Sequence, residues 1–476
     1  MAVEWTSSEL ALAVALASGP GIGGRLQARM REAVRLGTLG RGDALPSSRD
    51  LAAQLGVARG TVVRVYEQLT AEGYLVATPG GRTRVSSAAG RPAHPAETAP
   101  PARQARFDLR PGVPDLRGFP AHDWSWALAE AARRIRPVDL DYDAGSGHGF
   151  AREVITGHLR RARAAVVDPE RLILTTGFAQ GAALTFAALA AHGVQVLAVE
   201  DPGDRSIDSG ARAAGLRIVS VLVDEHGLDV DELVRSGADA VMVTPAHQSP
   251  TGAVLSPERR TALVEWASRT DGWIVEDDYD SEFRYDRQPV GSLQGLAPDR
   301  VVLIGTTSKS HAPGLRIAWV AAPPRIASRI VEEKRAQDRG SSVIDQLAFA
   351  LLVDSGRHVR HVRAMRARYA ARRRAVIAAL GHHLPDVRLT GVDAGFHGVL
   401  ALPPGLGERR VIEAGAAASL RLTGLAASTV ARDDLSPALV LGFGNLDDAA
   451  VPEAVEALAW VFENARFAPP SELAEK

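Results

Sequence analysis

Apolar residues recur every three or four positions in the first part of the chain, which is the spacing of helices that bury one face. They predict three short helices, over 26–36, from a cap at Ser47 or Ser48 to Leu55, and from the turn at Gly56-Val57 to Leu69. Residues 74–77 and 82–86 predict two strands around the turn sequence Thr78-Pro79-Gly80-Gly81. Three helices followed by a hairpin are the layout of a winged helix-turn-helix.

Farther along the chain, short β-rich apolar runs alternate with helical stretches, which predicts an α/β domain with a largely parallel sheet. The predicted strands are 172–175, 196–199, 218–223, 240–244, 273–275, 301–304 and 317–321. Beyond Pro323 the pattern changes to long helices over 326–336 and 343–380, followed by a mixed segment over 387–402. This change predicts a smaller α+β lobe.

A segment with few bulky apolar residues separates these two patterns. From Ser86 to Ala105 it contains four prolines and many alanines, and it cannot bury enough surface to fold. We therefore predict a winged-helix domain over 20–86, a linker over 87–105 and a second domain over 106–470, with the small lobe mainly over 324–470.

Composition narrows the class of protein. The 476 residues are 46% hydrophobic and 23% charged, which excludes a disordered or collagen-like chain. No apolar run reaches the roughly 20 residues of a membrane span, and the N-terminal sequence lacks an export signal, so we expect a cytoplasmic protein without a membrane partner. The absence of cysteine excludes disulfides, thiolate metal sites and thiol nucleophiles.

Charge is unevenly distributed although the net charge is only −1. Residues 20–91 contain eleven arginines and five acidic residues, which is the sign expected of a surface that binds nucleic acid. Within this region, the sequence ALPSSRDLAAQLGVARGTVVRVYEQLTAEGYLVATPGGRTRV resembles the GntR-type winged helix. The resemblance implies that the protein binds a double-stranded DNA operator.

Five residues are candidates for DNA contacts. Residues 58–64 would begin the recognition helix, where Arg59 can bond a guanine edge in the major groove. Arg49 and Thr61 are assigned to phosphates, and Arg82 to the wing. Arg64 faces either solvent or phosphate. The alternative for the whole set is a solvated face that serves protein contacts.

Lysine occurs at only three positions, and Lys309 is the one that follows a predicted strand in a hydroxyl-rich loop. A lysine amine, unlike a guanidinium, forms a Schiff base with an aldehyde once desolvation lowers its pKa. This is the requirement for a pyridoxal phosphate anchor. Ser308, Thr306 and Arg316 are candidates to hold the cofactor phosphate. The alternative for Lys309 is a surface lysine in a turn.

The preceding predicted strand ends in carboxylates followed by a tyrosine. Alternation along a strand places Asp277 and Tyr279 on one side. There a buried carboxylate would keep a pyridine nitrogen protonated, and a phenol would hydrogen-bond the phenolate oxygen of the ring. Glu276 and Asp278 are assigned to solvent or structural pairing, the alternative being an aspartate cluster that binds Mg²⁺. Gly177 precedes a predicted helix whose free N–H groups suit a phosphate.

The large domain resembles fold-type I aminotransferases through motifs that occur in order along the chain. They are FDLRPGVPDLRGFP, YDAGSGHG, EDPG, TPAHQSPTG, EDDYDSEFRY and TTSKSHAPGLR. With the GntR-like segment before it, the whole chain resembles the MocR/GabR family of bacterial transcription regulators.

This resemblance implies a pyridoxal phosphate cofactor joined to Lys309 as an internal aldimine, with Asp277 at the pyridine nitrogen and Tyr279 at the phenolic oxygen. It also implies a head-to-tail homodimer in which Tyr142 is directed toward the partner's phosphate. The phosphate contacts that it implies within the chain are Gly177, Phe178, Ser308 and Arg316.

Three departures from the aminotransferase pattern bear on activity. The arginine that usually clamps the substrate carboxylate is replaced by Val440, so an α-carboxylate loses its bidentate partner and ordinary transamination is in doubt. Asp204 stands where a ring-stacking tyrosine is common, and Ser249 replaces an asparagine. His247 and Gln248 are assigned either to the pocket or to structural contacts.

Two histidine pairs raise the question of a metal. His358 and His361 have the spacing of one helix face, and His382 and His383 are adjacent, but the sequence places no carboxylate at a convincing partner position. We predict that both pairs are solvated and that there is no metal site.

These observations favour a transcription regulator whose aminotransferase-like domain senses a small-molecule effector, an amine or a vitamer, through the Lys309 aldimine. The rival hypothesis is an active aminotransferase that carries a DNA-binding domain. A third hypothesis retains the regulator without covalent sensing.

Overall fold

A computed structural model describes residues 3–14, 21–77, 81–87, 105–142, 145–285, 290–430, 432 and 435–467. The chain forms two compact units, residues 1–102 and 103–476. Most of the predicted linker, residues 88–104, lies outside the described residues, as do residues 78–80 of the predicted hairpin turn. Among the described residues, no helix is long and apolar enough to cross a membrane.

The first unit is a winged helix-turn-helix. Its elements are α1 (Ser7–Val14), α2 (Ile22–Leu36), α3 (Ser48–Leu55), α4 (Arg59–Ala71), β1 (Leu75–Val76) and β2 (Arg84–Val85). The Ser47 side chain caps α3 by accepting from the backbone N–H of Asp50, and β1 and β2 pair antiparallel. The predicted helices and hairpin are therefore confirmed, whereas α1 was not predicted. Its Leu10 is fully buried in the core of the unit.

The second unit begins with a large α/β part. Its elements are β3 (Phe107–Asp108), α5 (Ala121–Arg134), α6 (Gly149–Arg163), β4 (Leu172–Thr175), α7 (Phe178–Ala191), β5 (Val196–Asp201), α8 (Asp208–Ala213), β6 (Arg217–Asp224), β7 (Gly227–Leu228), α9 (Val230–Ser236), β8 (Ala240–Val243), α10 (Pro257–Thr270), β9 (Trp273–Asp278), α11 (Leu293–Leu296), β10 (Val301–Thr306), β11 (Ala318–Ala321), α12 (Pro324–Gln337) and α13 (Val343–Asp354).

Apart from β3, these strands form one eight-stranded sheet in the order β4-β11-β10-β9-β8-β5-β6-β7. The pairs from β10 to β6 are parallel, while β11 is antiparallel to both of its neighbours and β7 to β6. Helices pack on the sheet through separate apolar clusters, with α7 and α12 in one and α5, α6 and α13 in another. The prediction of a largely parallel sheet between helices is confirmed.

The remainder of the second unit is the smaller lobe. Its elements are α14 (Arg357–His383), β12 (Leu389–Thr390), β13 (His397–Ala401), α15 (Glu408–Ala417), β14 (Leu420–Arg421), β15 (Ala438–Gly442) and α16 (Val451–Phe467). The single helix predicted over 343–380 is wrong, because α13 ends at Asp354 and α14 begins at Arg357. Between them Gly356 has a φ of +72°, a left-handed conformation that glycine adopts without strain.

A buried ion pair joins the long helix of this lobe to the start of the second unit. Arg372 in α14 is fully buried and donates to Asp115 at 2.8 Å and to Asp448 at 2.6 Å. Replacing Arg372 by methionine should lower the free energy of unfolding by about 3 kcal/mol, because Asp115 would lose its buried partner. Urea unfolding would measure the change. The exposed Arg374 in the same helix provides the control, and an equal loss in R374M would contradict the explanation.

Candidate functional site

The carboxyl ends of the parallel strands β8, β9 and β10 meet at one edge of the large sheet, where ligands of α/β proteins usually bind. Asp277, near the end of β9, pairs in register with Ile304 of β10. Lys309 follows β10 by three residues. The topology thus brings the predicted carboxylate and the predicted lysine to the same edge.

Lys309 is held in a partly buried position. Its Nζ donates to the backbone carbonyl of Gly112 at 2.7 Å. Burial lowers the pKa of Lys309, although the carboxylates of Asp277, Asp280 and Asp204 act in the opposite direction. Gly112 has a φ of +79°, and a Cβ there would lie 3.1 Å from Nζ. A depressed pKa favours the neutral amine, which is the form that attacks an aldehyde.

Asp277 is suited to accept a hydrogen bond from a bound ligand. Its side chain is buried, and its Oδ1 has no hydrogen-bond partner among the described residues. Burial raises the pKa of Asp277 well above its usual value, and the nearby Asp204 adds to the effect. A buried acceptor without a donor is costly. The protonated ring nitrogen of pyridoxal phosphate is a donor of the required kind.

Gly177 and Arg316 make a cradle at the start of α7. Arg316 Nη2 donates to the carbonyl of Thr176 at 2.9 Å. A Cβ on Gly177 would lie only 2.3 Å from that nitrogen, and the φ of +83° at Gly177 also requires glycine. The helix begins at Phe178, and the N–H groups of its first turn have no partners within the helix. A guanidinium beside a helix N-terminus suits a phosphate.

Thr306 and Ser308 form a hydroxyl pair in the loop that carries Lys309. Their oxygens lie 2.9 Å apart, and the Ser308 N–H donates to Thr306 Oγ1 at 3.2 Å. The pair lies at the same edge of the sheet as Gly177, because β4 and β10 both end there. All the cofactor residues predicted within one chain therefore come together at this edge.

Tyr279 contacts a pair of residues that the sequence did not connect. Its hydroxyl donates to the carbonyl of His247 at 2.9 Å and lies 3.2 Å from His247 Nδ1. The same Nδ1 lies 2.7 Å from Asp280 Oδ2, and the His397 ring is centred 5.0 Å from that of His247. Asp280 and His397 were missed, since no local motif marks residues that meet only in the folded chain.

The remaining predictions for this region have mixed outcomes. Structural pairing is confirmed for Glu276, which accepts from the N–H groups of Leu293 and Gln294, and for Asp278, which pairs with Arg163 at 2.8 Å. Val440 is fully buried in β15, so this position offers no cation to a carboxylate.

Tyr142 and the histidine pairs complete the account of the predicted residues. Tyr142 is 80% exposed, and its proposed contact with a partner subunit stays a prediction. The expectation that His358 and His361 are solvated is wrong. His358 is buried with its Nε2 3.1 Å from Glu282 Oε1, and His361 is half-buried with its Nε2 2.8 Å from the carbonyl of Ser310. Sequence separation hid Glu282 as the partner carboxylate.

In the first unit, α4 begins at Arg59, so the predicted start of the recognition helix is confirmed. Arg49, Arg59 and Arg64 are exposed and contact no acceptor among the described residues. Thr61 is half-buried. Arg82 is exposed beside β2 and pairs with Glu4 at 2.9 Å. Arg49, Arg59 and Arg64 are therefore available to an anionic partner.

Comparison with known proteins assigns a family to each unit. The family described as "Bacterial regulatory proteins, gntR family" matches residues 23–85. The family described as "Aminotransferase class I and II" matches residues 115–428. The pyridoxine biosynthesis transcriptional regulator PdxR of Corynebacterium glutamicum is 35% identical over 79% of this chain and 82% of its own. The probable rhizopine catabolism regulatory protein MocR of Rhizobium meliloti is 28% identical over 92% of this chain and 93% of its own.

Among solved structures, kynurenine aminotransferase from Pyrococcus horikoshii has a TM-score of 0.69 at 24% identity, covering 77% of this chain and 92% of its own. This likeness establishes the fold of the second unit as that of fold-type I aminotransferases. The chain combines a GntR-type winged helix with such a domain. It belongs to the MocR/GabR family of DNA-binding transcription regulators.

Adding one methyl group at Gly177 should disturb the cradle in two ways, because it strains a backbone with a φ of +83° and it crowds Arg316. In Gly177→Ala the new Cβ displaces the Arg316 guanidinium, which is the flexible end of a side chain. We expect the affinity for pyridoxal phosphate to fall at least about tenfold, the loss expected from one charge-assisted hydrogen bond. Equilibrium dialysis measures it. Gly149→Ala, where a Cβ contacts nothing within 4 Å, should bind normally.

Proposed function

We propose that this regulator couples operator binding to the occupancy and chemical state of pyridoxal phosphate at Lys309. The proposal rests on two features of one chain. Arginines around the start of α4 contact no acceptor among the described residues, and a partly buried lysine lies near Asp277, whose buried Oδ1 has no partner within the same described part. When bound, pyridoxal phosphate supplies an aldehyde that condenses reversibly with primary amines.

The residues of the chain have distinct parts in this proposal. Asp277 accepts a hydrogen bond from the ring nitrogen, and Tyr279, oriented by His247, faces the phenolic oxygen. Gly177, Phe178 and Arg316 bind the phosphate. The hydroxyl groups of Thr306 and Ser308 supply further hydrogen bonds to it.

Two observations bear on the effector. With valine at position 440, the pocket lacks the arginine that would favour an α-amino acid as an exchanging partner. The name of the Corynebacterium relative refers to pyridoxine biosynthesis. We therefore propose a vitamer or a simple amine as the effector, rather than an amino acid bound by an arginine clamp.

The proposed assembly is a head-to-tail homodimer. Val138, Leu140 and Tyr142 are apolar or aromatic side chains that stay more than 60% exposed in the isolated chain. A neighbouring subunit would cover this patch and receive Tyr142 near its own cofactor phosphate. Analytical ultracentrifugation should report a dimer, which Leu140→Arg should dissociate.

Fluorescence anisotropy with DNA from upstream of the gene tests the regulatory function. We expect the dimer to prefer this DNA over a scrambled sequence by about 10³-fold or more, with affinity that falls as salt is raised. Adding pyridoxal phosphate or a primary amine should shift the operator affinity, because an allosteric ligand must bind the two states differently. Equal affinity for both DNAs would contradict the proposal. Multiple turnover with an amino donor and a 2-oxo acid would instead support the enzyme hypothesis.

A further inference from the structure

The second unit contains a cavity that is separate from the Lys309 pocket and is lined by four arginines. Its volume is about 440 Å³, within the range of small-molecule sites. We call it the arginine cavity. Its lining residues are His158, Arg161, Ala162, Arg163, Ser281, Glu282, His358, Val359, Val362, Arg363 and Arg366. The cavity borders the end of β9, where Arg163 pairs with Asp278. Since Asp277 and Asp278 point to opposite faces of the strand, and Asp277 is on the face of Lys309, the cavity lies on the other face.

One arginine of this cavity is buried with an unused donor. The Arg163 side chain is only 3% exposed. Its Nε donates to Asp278 and its Nη1 to the carbonyl of Val290, but its Nη2 has no acceptor among the described residues. The Arg163 guanidinium thus lies beneath the cavity wall, and its positive charge favours an anion in the cavity without a direct hydrogen bond.

The other guanidinium groups leave the cavity positively charged. Arg161 and Arg363 are exposed and contact no acceptor among the described residues, while Arg366 donates to the carbonyl of Glu282 at 2.9 and 2.6 Å. The four arginine charges exceed those of the two carboxylates, Asp278 and Glu282, by two even when both histidines are neutral. The cavity therefore attracts anions.

Glu282 does not make this a cation site. Its Oε1 lies 3.2 Å from His158 Nε2 and 3.1 Å from His358 Nε2, a set of donor types that zinc accepts. However, the four guanidinium groups repel a metal ion, and the two imidazoles already satisfy the carboxylate. The charge balance decides in favour of an anion.

We propose that the arginine cavity binds a small organic phosphate monoester, at a ligand site separate from the Lys309 pocket. The oxyanion bonds Arg161 and Arg363, the charge of the buried Arg163 adds to the attraction, and the organic group packs against Val359 and Val362. The cavity, at about 440 Å³, is larger than an inorganic ion needs, since a molecule as small as water occupies only about 30 Å³ in the liquid. This proposal does not depend on pyridoxal phosphate binding at Lys309.

The site is placed to influence the Lys309 loop. The His358 ring stacks on that of His311, with centroids 5.3 Å apart and planes 9° apart. His311 is two residues from Lys309, and Ser281 directly follows Asp280, the partner of His247. A ligand that moves His358 or Ser281 would thus act on both sides of the Lys309 pocket.

Isothermal titration of the full-length protein with phenyl phosphate, after saturation with pyridoxal phosphate, tests the assignment. We expect one site per chain, with affinity at least about tenfold weaker in the double variant R161Q/R363Q because two charge-assisted contacts are lost. The control R360Q changes an exposed arginine of α14 that does not line the cavity and should bind normally. R316Q, which alters the cofactor cradle, should also bind phenyl phosphate normally.

Further binding measurements distinguish between the possible classes of ligand. Tighter binding of succinate, with the same dependence on Arg161 and Arg363, would keep the oxyanion site but assign it to dicarboxylates. The absence of binding at about 10 mM phenyl phosphate, a concentration that would fill about nine-tenths of a site with a Kd of about 1 mM, would overturn the proposal. So would loss of binding only in R316Q, which would locate phenyl phosphate in the cofactor cradle. Stoichiometric zinc binding that is lost in H158A would show a metal site and also overturn it.

Discussion

Replacing Lys309 by arginine is expected to abolish covalent attachment of pyridoxal phosphate. Arginine retains the positive charge near Asp277, but its guanidinium stays protonated and does not condense with an aldehyde. Wild-type protein treated with pyridoxal phosphate and borohydride should carry a phosphopyridoxyl mass on the peptide that contains Lys309. It should also show a near-visible absorption band before reduction. In K309R we expect neither signal.

Lys334 provides an internal control for this experiment. It is completely buried, and its Nζ donates to both carboxylate oxygens of Asp338 and to Ser341 Oγ. An ammonium held in this way is a poor nucleophile, so the Lys334 peptide should stay unmodified in both proteins. Labelling of Lys334 or of the N-terminus in place of Lys309 would refute the assignment. A colourless wild-type protein under saturating cofactor would refute covalent sensing altogether.

Replacing Arg59 by alanine should give the largest loss of sequence-specific DNA binding. Arg59 is exposed at the first position of α4, where it can reach a guanine edge. A bidentate contact contributes about 1–3 kcal/mol of discrimination, so we expect the preference for operator over scrambled DNA to fall about tenfold. Competition binding at fixed salt measures this ratio directly.

The comparison with Arg49→Ala separates base contacts from phosphate contacts. Because Arg49 is assigned to phosphate, its loss should weaken operator and scrambled DNA equally and reduce the salt dependence by about one ion. Arg466→Ala removes the same charge from an exposed position at the end of α16 and should leave DNA binding unchanged. If R59A, like R49A, weakened the affinity for operator DNA and for scrambled DNA by the same factor, Arg59 would be a phosphate contact.

The pH dependence of pyridoxal phosphate binding follows from the lowered pKa of Lys309. The folded protein releases the lysine proton at a lower pH than the unfolded chain does, because burial disfavours the ammonium. The sign of the linkage is therefore that attachment strengthens as pH rises through the lowered pKa of Lys309 and levels off above it, at a lower pH than an ordinary lysine would require. The measurement is the absorbance of the bound cofactor against pH, and attachment that weakened steadily with rising pH would contradict it.

Local sequence determined much of the fold because the relevant signals are short in range. The β-rich runs of the large sheet, the capping of α3 by Ser47 and the hairpin were all visible as periodicity and turn chemistry. The strand from Trp273 to Asp278 was predicted shorter than it is, since charged residues at its end mask its β-forming pattern. The helix break at Gly356 was not predicted, because a single glycine also occurs within helices.

The sequence by itself determined the family and the DNA-binding unit, and it predicted the roles of Lys309 and Asp277, since these depend on residue types in fixed motifs. Only the tertiary structure decided what surrounds them. It alone placed the carbonyl of Gly112 beside Lys309 and buried His358 against Glu282, joining residues 197 and 76 positions apart. Such contacts depend on strand order and helix packing, which local propensity does not encode. The arginine cavity has the same origin, because its residues come from α6, the turn after β9, and α14.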